Sequence, residues 1–118
     1  MKPKVKKLES NIDFYEMCNY GAEQTGLAVL VWTGLNVKGR KPRILVQRTY
    51  AKKMDPKNLF SVSISDTPKI LAGDQGEIKD ADLKKIFKWI VLNQQALLDL
   101  WNINVDSFKD FEALIKKV

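Results

Sequence analysis

The stretch VKGRKPRILVQRTYAKKMDPK sets Lys38, Arg40, Lys41, Arg43, Arg48, Lys52, Lys53 and Lys57 against Asp55 alone. Solubilising charge is normally interspersed with its opposite, so a one-sign block in a chain of formal net charge +6 asks for a partner. The chemistry available to such a block is contact with phosphates, where each cation releases condensed counterions and makes binding salt-dependent. Arg40, Lys41, Arg43, Arg48, Lys52 and Lys53 are therefore the candidate nucleic-acid-binding residues. Trp32 and Tyr50 flank them, and a base stacked on such a ring is worth about 1–3 kcal/mol. Two other readings fit the same residues: an acidic protein partner, or no partner, with lysines blunting the sheet edges.

Other chemistry lacks its reagents. There is no histidine, and Cys18 is the only cysteine, so no intrachain disulfide forms and a nucleophile lacks the basic neighbour that would activate it. Cys18 reads as a small, half-buried side chain. The carboxylates do not follow a calcium-loop spacing, and neither a Walker loop nor a dinucleotide fingerprint occurs. Asp80 and Asp82 suit the positive end of a helix better than acid–base work. No catalytic residues, metal ligands or cofactors are expected, and the chain reads as a small non-catalytic binding protein.

The cations need a scaffold. At 118 residues one hydrophobic core suffices. Residues 1–10 read as a mobile basic arm, and residues 11–118 as one α+β domain. Asn11 to Gln24 suggests a short helix or turn, ended by Thr25-Gly26. LAVLVWT, Leu27 to Thr33, reads as a central strand, GLNVKGRKP as a hairpin loop using Gly39, and RILVQRTY as the next strand. In LFSVSIS, Phe60, Val62 and Ile64 alternate with Ser61, Ser63 and Ser65, which predicts a core face and a wet face. KILAG offers a fourth, short edge strand after Pro68. Asp80 then caps a long helix running to about Trp101, and Asp106 caps a short C-terminal one. The expected fold is a three- or four-stranded antiparallel sheet followed by these two helices.

The long helix carries a surplus of apolar residues. At 100° per residue, Leu83, Ile86, Phe87, Ile90, Val91, Leu97, Leu98 and Trp101 make one core stripe. Trp89, Ala96 and Leu100 form a second ridge beside it, and each large side chain left bare forgoes about 1.5–3 kcal/mol. Either the C-terminal helix folds back over that ridge, or it is an interface for a second copy or another protein. Gln94 points into the core stripe and needs partners at a sheet edge or in a polar cavity.

EQTGLAVLVW, a basic strand and LKKIFKWIVLNQQALLDLWN together resemble a group of short uncharacterised bacterial proteins over roughly residues 15–115. Asn93, Leu97, Leu98, Trp101 and Asn102 also resemble the end of a bacterial domain of unknown function often encoded as half of a toxin–antitoxin pair. That domain has a histidine motif in an early strand, absent here, so any activity tied to it does not carry over. Neither resemblance supplies an established function, and the alternative reading, a protein-interaction or self-associating regulatory module, toxin–antitoxin-like, rests on the ridge of Trp89, Ala96 and Leu100. With no signal-peptide pattern and no long apolar span, a soluble cytoplasmic protein without membrane contact is expected.

Overall fold

A computed structural model describes residues 17–34 and 40–118. The expected basic arm at 1–10 and the hairpin loop with Gly39 lie outside the described residues. The fold is α+β. A five-stranded antiparallel sheet, in sequential order, joins β1 (Met17–Tyr20), β2 (Val31–Gly34), β3 (Arg43–Gln47), β4 (Leu59–Ser63) and β5 (Ile70–Ala72). A short helix, α1 (Ala22–Thr25), lies between β1 and β2. After the sheet come α2 (Asp80–Leu92), α3 (Gln94–Trp101) and α4 (Phe108–Leu114).

Register sorts the two faces. Tyr20, Val31, Val46 and Phe60 stand in one cross-strand row, with Ile44 and Val62 in another, and all of them are buried in the core that the helices cover. Asn19, Trp32, Leu45, Ser61 and Ala72 form a row on the far face. That face is not simply wet, as the serine alternation had suggested: Trp32, Ser61 and Ser63 are all buried. The sheet also has one strand more than expected. Met17–Tyr20 pairs with β2 instead of coiling, because Tyr20 sits opposite Val31 and delivers its ring to the core. The predicted strand at Leu27 starts only at Val31; Leu27 and Val29 are buried ahead of it without pairing.

The predicted long helix breaks at Asn93, whose backbone (φ −109°, ψ 18°) ends α2 and begins α3. The buried side is turned roughly 70° from the expected stripe, counting 100° per residue. Trp89 and Leu100 are 0% and 1% exposed, whereas Val91 is 45% exposed. The reason is double coverage. The sheet packs on one flank, and α4 folds back on the other, setting Phe111 into the core with its ring 5.8 Å from that of Tyr20. Trp89 and Leu100 are thus core residues and not an interface, and Ala96 is half-buried against the same core. The buried amide is Asn93, not Gln94, which sits half-exposed near Asp66.

Helix ends differ from expectation by one residue. Lys79, not Asp80, is the N-cap of α2, which places both Asp80 and Asp82 in its first turn, where the dipole favours them. Ser107, not Asp106, caps α4 and accepts from the Asp110 N–H at 3.2 Å. Beyond α4, residues 115–118 run back to α1. Asn93 donates to the Lys116 carbonyl and accepts from its N–H, and the Val118 N–H donates to the Thr25 carbonyl. Gly26, at φ +78°, leaves the space this needs: a Cβ there would stand 2.7 Å from the Val118 carbonyl oxygen.

The end of α3 is unusual. The Asn104 N–H reaches the Asp99 carbonyl at 2.7 Å and the Ile103 N–H reaches that of Leu100 at 3.0 Å, the paired bonds of a Schellman ending. Its left-handed residue is Ile103, at φ +58°, where glycine is the usual occupant. An L side chain pays about 1–2 kcal/mol for that conformation.

Candidate nucleic-acid interface

The six predicted cations do not form one cluster. Arg43 belongs to the far face, directly across from Ser63, and its Nε donates to the Lys41 carbonyl at 3.0 Å. Arg40 and Lys41 are exposed just ahead of it. Beside Arg43 the small residues Ser61, Ala72 and Gly73 leave a trough of about 200 Å³, walled by Leu45 and Leu59, with Arg40 and Arg43 at its rim. The β4–β5 register shifts between Ser61 and Val62, which breaks the ladder beside the trough. Ser61 Oγ is buried without a hydrogen-bond partner among the described residues.

Lys52 and Lys53 lie in the loop beyond the other end of β3, whose last residue, Gln47, is about 13 Å from Arg43 by strand rise. Gln47 puts them there. This residue is fully buried and shares the far face with Arg43 and Leu45; its amide donates to the Ala51 and Lys53 carbonyls and accepts from the Asp55 N–H. A buried glutamine with its bonds satisfied by one loop fixes that loop's path. Asn19, from the same face, reaches Met54 Sδ at 2.7 Å. The lysine loop is thereby hung on the far face.

Arg48 is engaged within the fold instead. It follows the parity of Ile44 and Val46, and its guanidinium is used within the fold: it bonds Asn58 Oδ1 at 2.8 Å, the Asp74 carbonyl at 3.1 Å and Asp74 Oδ1 at 2.7 Å. The turn carrying Asp74 presses directly on it, for a Cβ on Gly76 (φ +57°) would meet Arg48 Cβ at 2.7 Å. Arg48 ties β3 to that turn and is neutralised by Asp74.

The hydrogen bond from Arg48, with a second from the Gly76 N–H, holds the Asp74 carboxyl below the ordinary carboxylate range. A lowered folded value means that the pair stabilises the fold above the unfolded pKa, near 3.9, and that this is lost as pH falls through the folded value. Asp74→Asn should therefore unfold more easily than the parent in urea at pH 7, and the gap should narrow as pH falls below the unfolded value toward the folded one. A gap unchanged with pH would assign the effect to something other than the charge.

The rings expected to stack bases are otherwise engaged. Trp32 is 5% exposed. The Tyr50 hydroxyl donates to Asp82 at 2.5 Å and accepts from the Lys79 N–H, pinning the start of α2, and the bond to Asp82 raises its pKa. Cys18 is half-buried, and burial pushes its thiol pKa up, away from the reactive thiolate. Among the described residues no group of three or more acidic, histidine or cysteine side chains is placed to hold a metal, and no helix is long and apolar enough to cross a membrane.

The fold and this surface define a small α+β domain with cations at both ends of one strand. Comparison with family models, with curated proteins and with solved structures gave no match, so a function must be argued from the geometry.

Proposed function

We propose that the chain is a non-catalytic binder of nucleic acid that grips phosphates along the far face of the sheet. Arg40, Lys41 and Arg43 act at one end of β3, and Lys52 and Lys53 at the other. The observation carrying this reading is the Gln47 clamp, which fastens the lysine loop to the same face from which Arg43 projects. Fixed cations lose less freedom on binding than floppy ones. With Trp32 buried and Tyr50 bonded to Asp82, the contact is electrostatic and not one of stacked bases, so weak sequence preference is expected.

Labelled oligonucleotides titrated at several salt concentrations test it. If four or five phosphates are neutralised, affinity falls with salt at a log–log slope of roughly −3 to −4. Exchanging Arg40, Lys41 and Arg43 for glutamine should flatten the slope, whereas Arg48→Gln should leave it unchanged and lower only stability. Absence of binding at about 20 mM salt, where such attraction is strongest, discards the proposal.

The rival, a toxin–antitoxin-like interaction module using Trp89, Ala96 and Leu100, loses its surface because Trp89 and Leu100 are core residues.

A further inference from the structure

Ile103 is both strained and unrewarded. Its backbone is left-handed, and its side chain is 63% exposed, so little packing offsets the conformation. Such outliers persist where the surrounding structure or a second conformation gives them a role. This one sits in the connection between α3 and the terminal segment, residues 108–118.

That segment is docked as a separate piece. Phe111 enters the core beside Tyr20, Lys116 is held at both main-chain atoms by Asn93, and the Val118 N–H meets Thr25 beside Gly26. Each anchor point lies on β1, α1 or the α2–α3 junction, on the far side of the connection. The same segment of another copy, arriving from a different direction, would find every one of these contacts. Opening the turn at Ile103 would let that residue leave the left-handed region, so the exchanged form regains what the closed form loses there. A short connection under strain is the known condition for such exchange.

We propose that two copies of this chain exchange residues 108–118, hinging at Ile103 to Ser107, to form a reciprocal dimer. The partner is a second copy because the docking site is shaped for this segment: the Gly26 gap, the Asn93 clamp and the Phe111 pocket are all filled by it.

The test is refolding of the full chain over a range of protein concentrations, followed by light scattering on sized fractions. Dimer should increase with concentration during refolding and should persist after dilution, because return requires undocking. Ile103→Gly removes the penalty of the closed turn. Each dimer opens two hinges, so a tenfold gain per hinge weakens dimerisation about a hundredfold. Val91→Glu, on the exposed helix face, serves as the control, since it abolishes side-by-side association through that face and leaves exchange intact. A monomer at every concentration overturns the proposal. So does a dimer that survives Ile103→Gly undiminished, or one lost in Val91→Glu.

Discussion

Trp89→Ala should lose about 3–5 kcal/mol of stability, and Trp89→Phe about 1 kcal/mol or less. The indole is fully buried in the core cluster, so truncation opens a cavity that Ile86, Ile90 and Leu100 of the same cluster cannot fill without moving the helix. Phenylalanine keeps most of the volume. It also removes Nε1, which is buried without a hydrogen-bond partner among the described residues, and an unpaired donor costs about 1–3 kcal/mol to bury. The two effects oppose each other, which is why the conservative change is expected to be so mild. Urea unfolding of the parent and both variants measures this directly. Similar losses in the two variants would mean that Nε1 has a partner after all, and a small loss for alanine would mean that Trp89 is not central to the core.

The same helix shows where sequence reasoning stops. Its periodicity correctly signalled an apolar surplus, but periodicity finds only the mean direction of the apolar residues. A helix buried on two flanks has two faces, and the expected average lay near Leu83 and Trp101 and took in Val91 at its edge, when the buried arc is centred near Ile86 and reaches Trp89 and Asn93. Strand β4 was legible in its alternation of Phe60, Val62 and the serines. That the serine side would also be buried was not, because cover from outside the strand leaves no mark within it. The four residues of β1 carry too little pattern to separate a strand from a turn. Pairing to β2 settles it, and pairing is non-local.

The cations divide in the same way. Charge density in the sequence marked the region but treated Arg43 and Arg48 alike. Their spacing is odd, so they occupy opposite parities of one strand, and Asp74, distant in sequence, then claims Arg48. The clue that was available is Gln47. A glutamine between a buried valine and an arginine, followed by a polar loop, is a candidate for bonding that loop's backbone.

Asn93→Ala should cost about 3 kcal/mol, a large effect for so small a side chain. Its amide donates to the Trp89 carbonyl and the Lys116 carbonyl, each at 3.0 Å, and its oxygen accepts from the Lys116 N–H at 2.7 Å. Alanine leaves both main-chain groups of Lys116 without these partners and loosens the tail where it meets Gly26. Asn93→Asp separates hydrogen bonding from shape. A carboxylate can still accept from Lys116 but cannot donate, and at a site only 3% exposed the ionised form is disfavoured. Its folded pKa should then lie above the unfolded value of about 3.9, so the variant is most stable below that pH and weakens as pH rises through the folded value. Melting the three proteins between pH 3 and pH 8 should show the aspartate variant approaching the parent in acid and the alanine variant no closer at any pH. A pH-independent aspartate variant would mean that position 93 reaches water. Because the clamp is internal in the closed monomer and reciprocal in an exchanged dimer, both substitutions should weaken the two forms alike and leave their ratio to be set by Ile103.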